Sequence, residues 1–317
     1  MATAKKAPAK PRDPFTRLWI KNNSYDVIKR YRKGELTLRS LYYQLVSIGM
    51  TNSIQHYKRV VAAMIEARRE GNVAYDTFSD HDRETIGETR WKDTDVDDAI
   101  DTAKGAVKDW MTIYFKNRWE NQPNVVEVWI EKKALIGTFQ RVCQTEGVAL
   151  APCKGYPSLT FLHDAALRFR AVERDGKTPV ILYFGDYDPS GEDIPRSLEQ
   201  NLLDDFGVDV TVERIALMED QVLAWKLPPA PAKQTDSRTA NWGGLGQVEL
   251  DAVDPKKLQG MVRDAVAKYF DTEVHDEIKE TEKDERKQYV SELKDFVIDL
   301  GTRLENGENL NDDDDDE

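Results

Sequence analysis

Cysteine is nearly missing: Cys143 and Cys153 are the only two in 317 residues. Two thiols make neither a disulfide framework nor a four-cysteine zinc site. Histidine is almost as scarce, with four residues and no H-E-x-x-H or C-x-x-C pattern, so the common zinc motifs are excluded. No apolar run approaches the ~20 residues of a membrane helix, and no membrane partner is expected. The N-terminal MATAKKAPAKPRDP is basic but has no apolar segment, unlike a secretory signal, so the expected location is cytoplasmic. There is no internal repeat. An overall positive charge is also lacking. The net charge is −13, which taken alone argues against a polyanionic partner.

The distribution of charge says otherwise. Residues 1–70 hold 15 Lys and Arg against 5 Asp and Glu, a balance of +10 that leaves −23 for the rest. An acidic chain with a basic lobe can bind nucleic acid through that lobe. The plainer reading is a solvated helical surface. The hydrophobic fraction, 40%, suffices for ordinary cores, and the length suits two domains better than one.

Hydrophobic periodicity predicts helices over 15–32, 37–48 and 53–69, with Thr37 as an N-cap and Gly49 and Gly71 as stops. On the third helix Ile54, Tyr57, Val61, Met64, Ile65 and Arg68 line one side. The segment NVAYDTFSD, 72–80, alternates enough for a short wing strand. Three helices and a strand describe a winged helix-turn-helix. A charged connector follows and ends in a helix. From Asn124 the pattern alternates between apolar strands (VVEVWI, VALAP, PVILYF, DVTVERIAL) and helices over 132–145 and 158–173, which implies a mostly parallel, Rossmann-like α/β sheet. The expected segments are a disordered basic tail, 1–14; a winged-helix domain, 15–90; a helical connector, 91–123; an α/β domain, 124–225; its helical C-terminal extension, 226–304; and a disordered acidic tail, 305–317.

Two places can carry chemistry. At ~100° per residue, Leu38, Leu41, Leu45 and Ile48 form one stripe of the second helix. Tyr43 falls opposite it and Tyr42 at its flank, while Arg39 and Ser47 share the face of Tyr43. A cation beside an outward phenol favours the phenolate and can hold an attacked phosphate. The alternative is that both tyrosines are half-buried packing residues. The second place is acidic. Glu131 ends the first strand, and Asp186 and Asp188 follow the third, where open parallel sheets gather functional groups. Three hard oxygen donors suit Mg²⁺. A lone D-x-D can instead be an Asx turn, and a D-x-D phosphatase would lack the partner glutamate. Lys154-Gly155-Tyr156-Pro157 forms a tight loop after the second strand.

Arg39-Ser40-Leu41-Tyr42-Tyr43 resembles the R-x-x-Y-Y motif of the A subunit of type IIB DNA topoisomerases and their meiotic double-strand-break relatives. WIEKKALIGTFQRV resembles the V-E-K start of that family's Toprim domain, CKGYPS its G-K-G-Y-P loop, and GDYDPSGEDI its D-x-D-P-x-G-x-x-I segment. The four motifs stand in the family's order over residues 39–194. The wider pattern, including the later VELDAVDP, is similar to the stand-alone homologues called topoisomerase mini-A. Tyr187 stands where the family has a small residue, and no nucleotide-binding G-x-x-x-x-G-K-[ST] loop is present.

The resemblance implies a winged helix joined to a Toprim domain and Mg²⁺-dependent cleavage of double-stranded DNA. Tyr43 would be the nucleophile, leaving a 5′-phosphotyrosine, and Arg39 would stabilise the transition state. Glu131, Asp186 and Asp188 would hold the metal. Lys58, Arg59, Arg68, Arg69 and Lys154 are candidate DNA contacts. The resemblance further implies a homodimer that places the tyrosine of one protomer against the metal site of the other, and strand passage would need an ATPase B-type subunit. Two other functions fit the same residues: a Toprim nuclease that cuts with metal-activated water, and a DNA-binding accessory protein that does not cut.

Overall fold

A computed structural model describes residues 13–79, 95–230 and 246–307. The basic tail before residue 13, the segment 80–94, the Pro-rich stretch 231–245 and the end of the acidic tail lie outside the described residues. The chain divides into two compact units. The first joins residues 1–84 to 123–269, so the tyrosine helix and the sheet belong to one body. The second joins 85–122 to 270–317.

In the first unit, helices α1 (Arg17–Ile28), α2 (Leu38–Ser47) and α3 (Ile54–Arg69) form where the periodicity predicts. Thr37 caps α2 by accepting from the Ser40 N–H at 2.9 Å, and Ser53 caps α3 through the His56 N–H. Gly49 and Gly71 follow with φ of +108° and +75°, conformations that a side chain would strain. The expected wing strand does not form. Residues Tyr75–Thr77 make a 3₁₀ turn, and Phe78 makes only a single parallel bridge to Leu36. Asp76 is drawn out to Lys33 and Tyr75 is exposed, and among the described residues 72–79 have no neighbouring strand beyond that bridge. The buried face of α3 also differs from the expected one. It consists of His56, Val60, Ala63, Met64 and Ala67, while Ile54 and Ile65 are exposed.

Strands β1 (Asn124–Ile130), β2 (Ala149–Pro152), β3 (Thr178–Phe184) and β4 (Thr211–Ala216) form one all-parallel sheet in the order β2-β1-β3-β4. The fold is therefore α/β. Helices α5 (Ile136–Glu146), α6 (Leu159–Arg174) and α7 (Pro189–Phe206) are the crossovers that parallel strands require. On one face of the sheet Trp129, Ile181 and Tyr183 pack against Leu162 and Phe169 of α6 and Ile194 and Leu198 of α7. On the other, Phe184 meets Phe139 of α5 edge-on at 5.0 Å. Helix α8 (Glu219–Trp225) follows β4, and α9 (Pro255–Ala267) packs against α5. Because β2 and β3 lie on opposite sides of β1, the connections leaving β1 and β3 diverge, which opens a crevice at their C-terminal ends.

The second unit pairs α4 (Val96–Thr112) with the long α10 (Thr272–Glu305). The Tyr289 hydroxyl donates to the Trp110 carbonyl, and Tyr114 bonds to Glu285. Among the described residues no helix is long and apolar enough to cross a membrane.

Candidate active site

The crevice is built from chain ends that the sheet brings together. Glu131 follows β1 directly, its N–H bonded to the Phe184 carbonyl of β3 at 2.9 Å. Its Oε2 accepts the Asp186 N–H at 2.9 Å. Two residues on, Asp188 caps α7 by accepting from the Gly191 N–H at 2.7 Å, with Pro189 at the first helical position. A short antiparallel bridge between Tyr187 and Val248 draws residues 248–252 across the crevice, and Asp186 Oδ1 accepts the Leu250 N–H at 2.8 Å. Gly191 cannot carry a side chain, because a Cβ there would lie 2.1 Å from the Asp186 carbonyl oxygen.

Residues 248–252 add two carboxylates that the sequence reading did not single out, Glu249 and Asp251. Lys132, next to Glu131, sits among them. Its Nζ lies 2.9 Å from Asp186 Oδ2, 3.2 Å from Asp251 Oδ2 and 3.9 Å from Glu249 Oε1. Burial works against this ammonium, but the three carboxylates outweigh it and hold its pKa above the usual lysine value. Asp251 also accepts from Thr37 Oγ1 at 3.1 Å, so the cap of the tyrosine helix and the acid cluster share a residue. Burial pushes the Asp186 carboxyl up to about 7, Lys132 opposing and Glu131 adding to the rise. Burial likewise raises Glu131, with the Asp186 N–H opposing and Asp188 reinforcing. Replacing Lys132 with methionine strands these charges and should destabilise the fold by about 3 kcal/mol, read as a lower midpoint in urea at unchanged slope. No change in midpoint would mean that the cluster is not held by this cation.

Tyr43 does not face outward as the helical projection implies. The face of α2 opposite the apolar stripe is covered by residues 249–252, and Tyr43 is 1% exposed. Leu38 is only partly buried and Ile48 is half exposed, so the stripe is not the single buried face. The Tyr43 hydroxyl donates to Glu249 Oε2 at 3.0 Å. Arg39 Nη1 donates to the same oxygen at 2.7 Å, and its guanidinium lies 4.9 Å from the centre of the Tyr57 ring. The cation beside the phenol is therefore matched by an anion. Burial and the Glu249 charge push the Tyr43 pKa up, against the opposing pull of Arg39. Tyr42 has a different environment: its hydroxyl bonds to Asn52 Oδ1 at 2.8 Å and accepts the Ser53 N–H at 2.7 Å, which ties α2 to the start of α3.

A groove of about 380 Å³ runs past Arg39, Tyr57, Glu131, Lys132, Lys154 and Glu249. Of Tyr43, Glu131, Asp186 and Asp188, only Glu131 lines this groove, and none lines a larger opening of about 650 Å³ beside Arg32, Lys33 and Arg141. Lys154 reaches the groove from a left-handed turn, φ +56°, followed by Gly155 at +80°. Of the other cations expected to face DNA, Lys58 and Arg69 are exposed. Arg59 bonds to Asp13 and the Phe15 carbonyl, and Arg68 lies over the Phe78 ring.

Glu131, Asp186 and Asp188 are hard oxygen donors of the kind a divalent cation takes, with Asp186 Oδ2 on Lys132 and Asp188 Oδ1 on the Gly191 N–H. The Tyr183 side chain, fully buried, lies against Gly185 beside them. Among the described residues, no three His, Cys, Asp or Glu side chains form a group that could hold a metal ion. No protein-family model matches the chain, and neither a curated protein nor a solved structure matches it.

Proposed function

We propose that this chain cleaves double-stranded DNA by transesterification, with Tyr43 as the nucleophile, in the manner of a type IIB topoisomerase A subunit. The observation that carries the reading is the shared carboxylate: the Tyr43 hydroxyl and the Arg39 guanidinium meet on Glu249, in a groove that continues to Lys132 and Glu131. The four motifs in family order support it. On this reading the helices α1 to α3 act as a DNA-binding lobe of winged-helix type, and the sheet acts as a Toprim domain.

The phosphodiester enters when the Arg39–Glu249 pair opens and Arg39 passes to a phosphate oxygen, where a planar fork of donors suits it. Lys154 holds an adjacent phosphate. The Tyr43 oxygen forms a bond to phosphorus as the bond to the 3′-oxygen breaks, leaving a 5′-phosphotyrosine and a free 3′-hydroxyl. Mg²⁺ held by Glu131, Asp186 and Asp188 would supply charge neutralisation at the phosphate. Two such cuts on opposite strands require two protomers, so a homodimer belongs to the proposal, each protomer using its own Tyr43 with its own acid cluster rather than the partner's cluster that the resemblance implies, and strand passage would call for an ATPase-bearing partner.

The test is the chemistry of the ends made on plasmid DNA in Mg²⁺. Cuts with free 3′-hydroxyls and 5′ ends that resist 5′-exonuclease until protease and tyrosyl-DNA phosphodiesterase are added support transesterification. The burial of Tyr43 favours a second reading, a metal-dependent nuclease that uses water, and that enzyme would leave unblocked 5′-phosphates.

DNA affinity should fall steeply with salt. Each phosphate neutralised contributes about −0.9 to the slope of log K against log salt, so Lys58→Ala with Arg69→Ala should flatten the slope by roughly 2. An unchanged slope would remove these two exposed side chains from the interface.

A further inference from the structure

We propose that Glu249 is the general base that takes the phenolic proton of Tyr43. The inference rests on the transesterification reading and adds a residue to it. Glu249 lies 206 positions from Tyr43 in sequence, yet its Oε2 accepts the Tyr43 hydroxyl at 3.0 Å, within reach for direct proton transfer. The bridge between Tyr187 and Val248 and the Leu250–Asp186 bond fix the backbone on either side of Glu249. The carboxylate is thus aimed by the same strand end that carries Asp186.

Arg39 holds the same carboxylate oxygen, its Nη1 2.7 Å from Glu249 Oε2, so a phosphate that draws Arg39 away leaves that oxygen to the Tyr43 hydroxyl. The other titratable or charged groups facing the pair are Tyr42 on α2, Tyr57 on α3, Lys132 after β1, and Asp186 and Asp251 beside it. In the step itself the Tyr43 O–H proton passes to Glu249. The phenolic oxygen then bonds to phosphorus, the phosphorus–O3′ bond breaks, and the departing 3′-oxygen takes a proton from water.

The experiment measures single-turnover formation of the covalent protein–DNA adduct by the full chain between pH 6 and 9.5, for wild type, Glu249→Gln and Glu249→Asp. Glu249→Gln keeps an oxygen acceptor for the hydroxyl but cannot take its proton. The rate should fall by about 10² to 10⁴ near neutrality. It should then rise about tenfold per pH unit, closing on wild type, because phenolate formation now depends on hydroxide. Glu249→Asp should be slower than wild type yet keep its levelling profile. In chain labelled with 3-fluorotyrosine, Glu249→Gln should also move the Tyr43 titration to lower pH, since a neighbouring negative charge is gone. A wild-type rate and profile in Glu249→Gln, or an unmoved Tyr43 titration, overturns the assignment while leaving transesterification standing. If wild type itself forms no adduct but cuts DNA with unblocked ends, the transesterification reading fails and the base falls with it.

Discussion

Tyr43→Phe should form no covalent adduct with DNA, whereas Tyr42→Phe should still form one. The two residues are adjacent, both are buried, and their rings lie 5.3 Å apart, so bulk packing does not tell them apart. Their hydroxyls do. The Tyr43 oxygen faces the Glu249 carboxylate and Arg39, while the Tyr42 oxygen is consumed by Asn52 and Ser53. Deleting the Tyr43 hydroxyl removes the nucleophile and releases a phenol from a carboxylate, at little cost to stability. Deleting the Tyr42 hydroxyl leaves the Ser53 N–H without its acceptor and should cost about 1–3 kcal/mol. The expected pattern is therefore crossed: Tyr43→Phe stable and inactive, Tyr42→Phe less stable and active. Adduct formation by Tyr43→Phe at the wild-type rate would eliminate Tyr43 as the nucleophile.

The second large effect is expected at the acid cluster. Asp186→Asn with Asp188→Asn should reduce cleavage in Mg²⁺ by on the order of 10³-fold, the scale of several kcal/mol of charge stabilisation at the phosphate. Chelation of the metal from wild type should do the same. The asparagine at 186 keeps an oxygen for the Leu250 N–H, and the one at 188 keeps a cap for α7. The thermal midpoint is the control for the fold. Losing the Asp186 charge also leaves Lys132 with two carboxylate partners instead of three, so a modest fall is expected. Undiminished cutting by a folded double variant would remove these aspartates from the chemistry.

The strands were legible because buried parallel strands are continuous apolar runs, and VVEVWI and PVILYF admit little else. The start of α2 was legible because Thr37 is a local cap. The position of Glu131 and Asp186 at neighbouring strand ends followed from the alternation of strand and helix. What was not legible depends on distant chain. The helical projection of α2 gave one buried stripe, but residues 249–252 cover the opposite face, and nothing within α2 signals that. For the same reason Glu249 was not legible, although VELDAVDP carries three acids close together, Glu249, Asp251 and Asp254. Lys132 was overlooked because a lysine beside a motif glutamate reads as surface charge until three carboxylates converge on it. The wing strand differs in kind: alternation does not by itself supply a partner, and among the described residues 72–79 have only the single bridge at Leu36.

The central claim is that one particular phenolic oxygen becomes bonded to DNA. Trypsin releases residues 40–58 as a single peptide carrying Tyr42, Tyr43 and Tyr57. Wild type is incubated with DNA and Mg²⁺ and quenched in denaturant. The DNA is digested to a residual nucleotide, and the peptide is fragmented in a mass spectrometer. The account predicts a nucleotide 5′-phosphate linked to Tyr43, with Tyr42 and Tyr57 unmodified. A nucleotide on either of those tyrosines, or an unmodified peptide from a preparation that has cut its DNA, would contradict it.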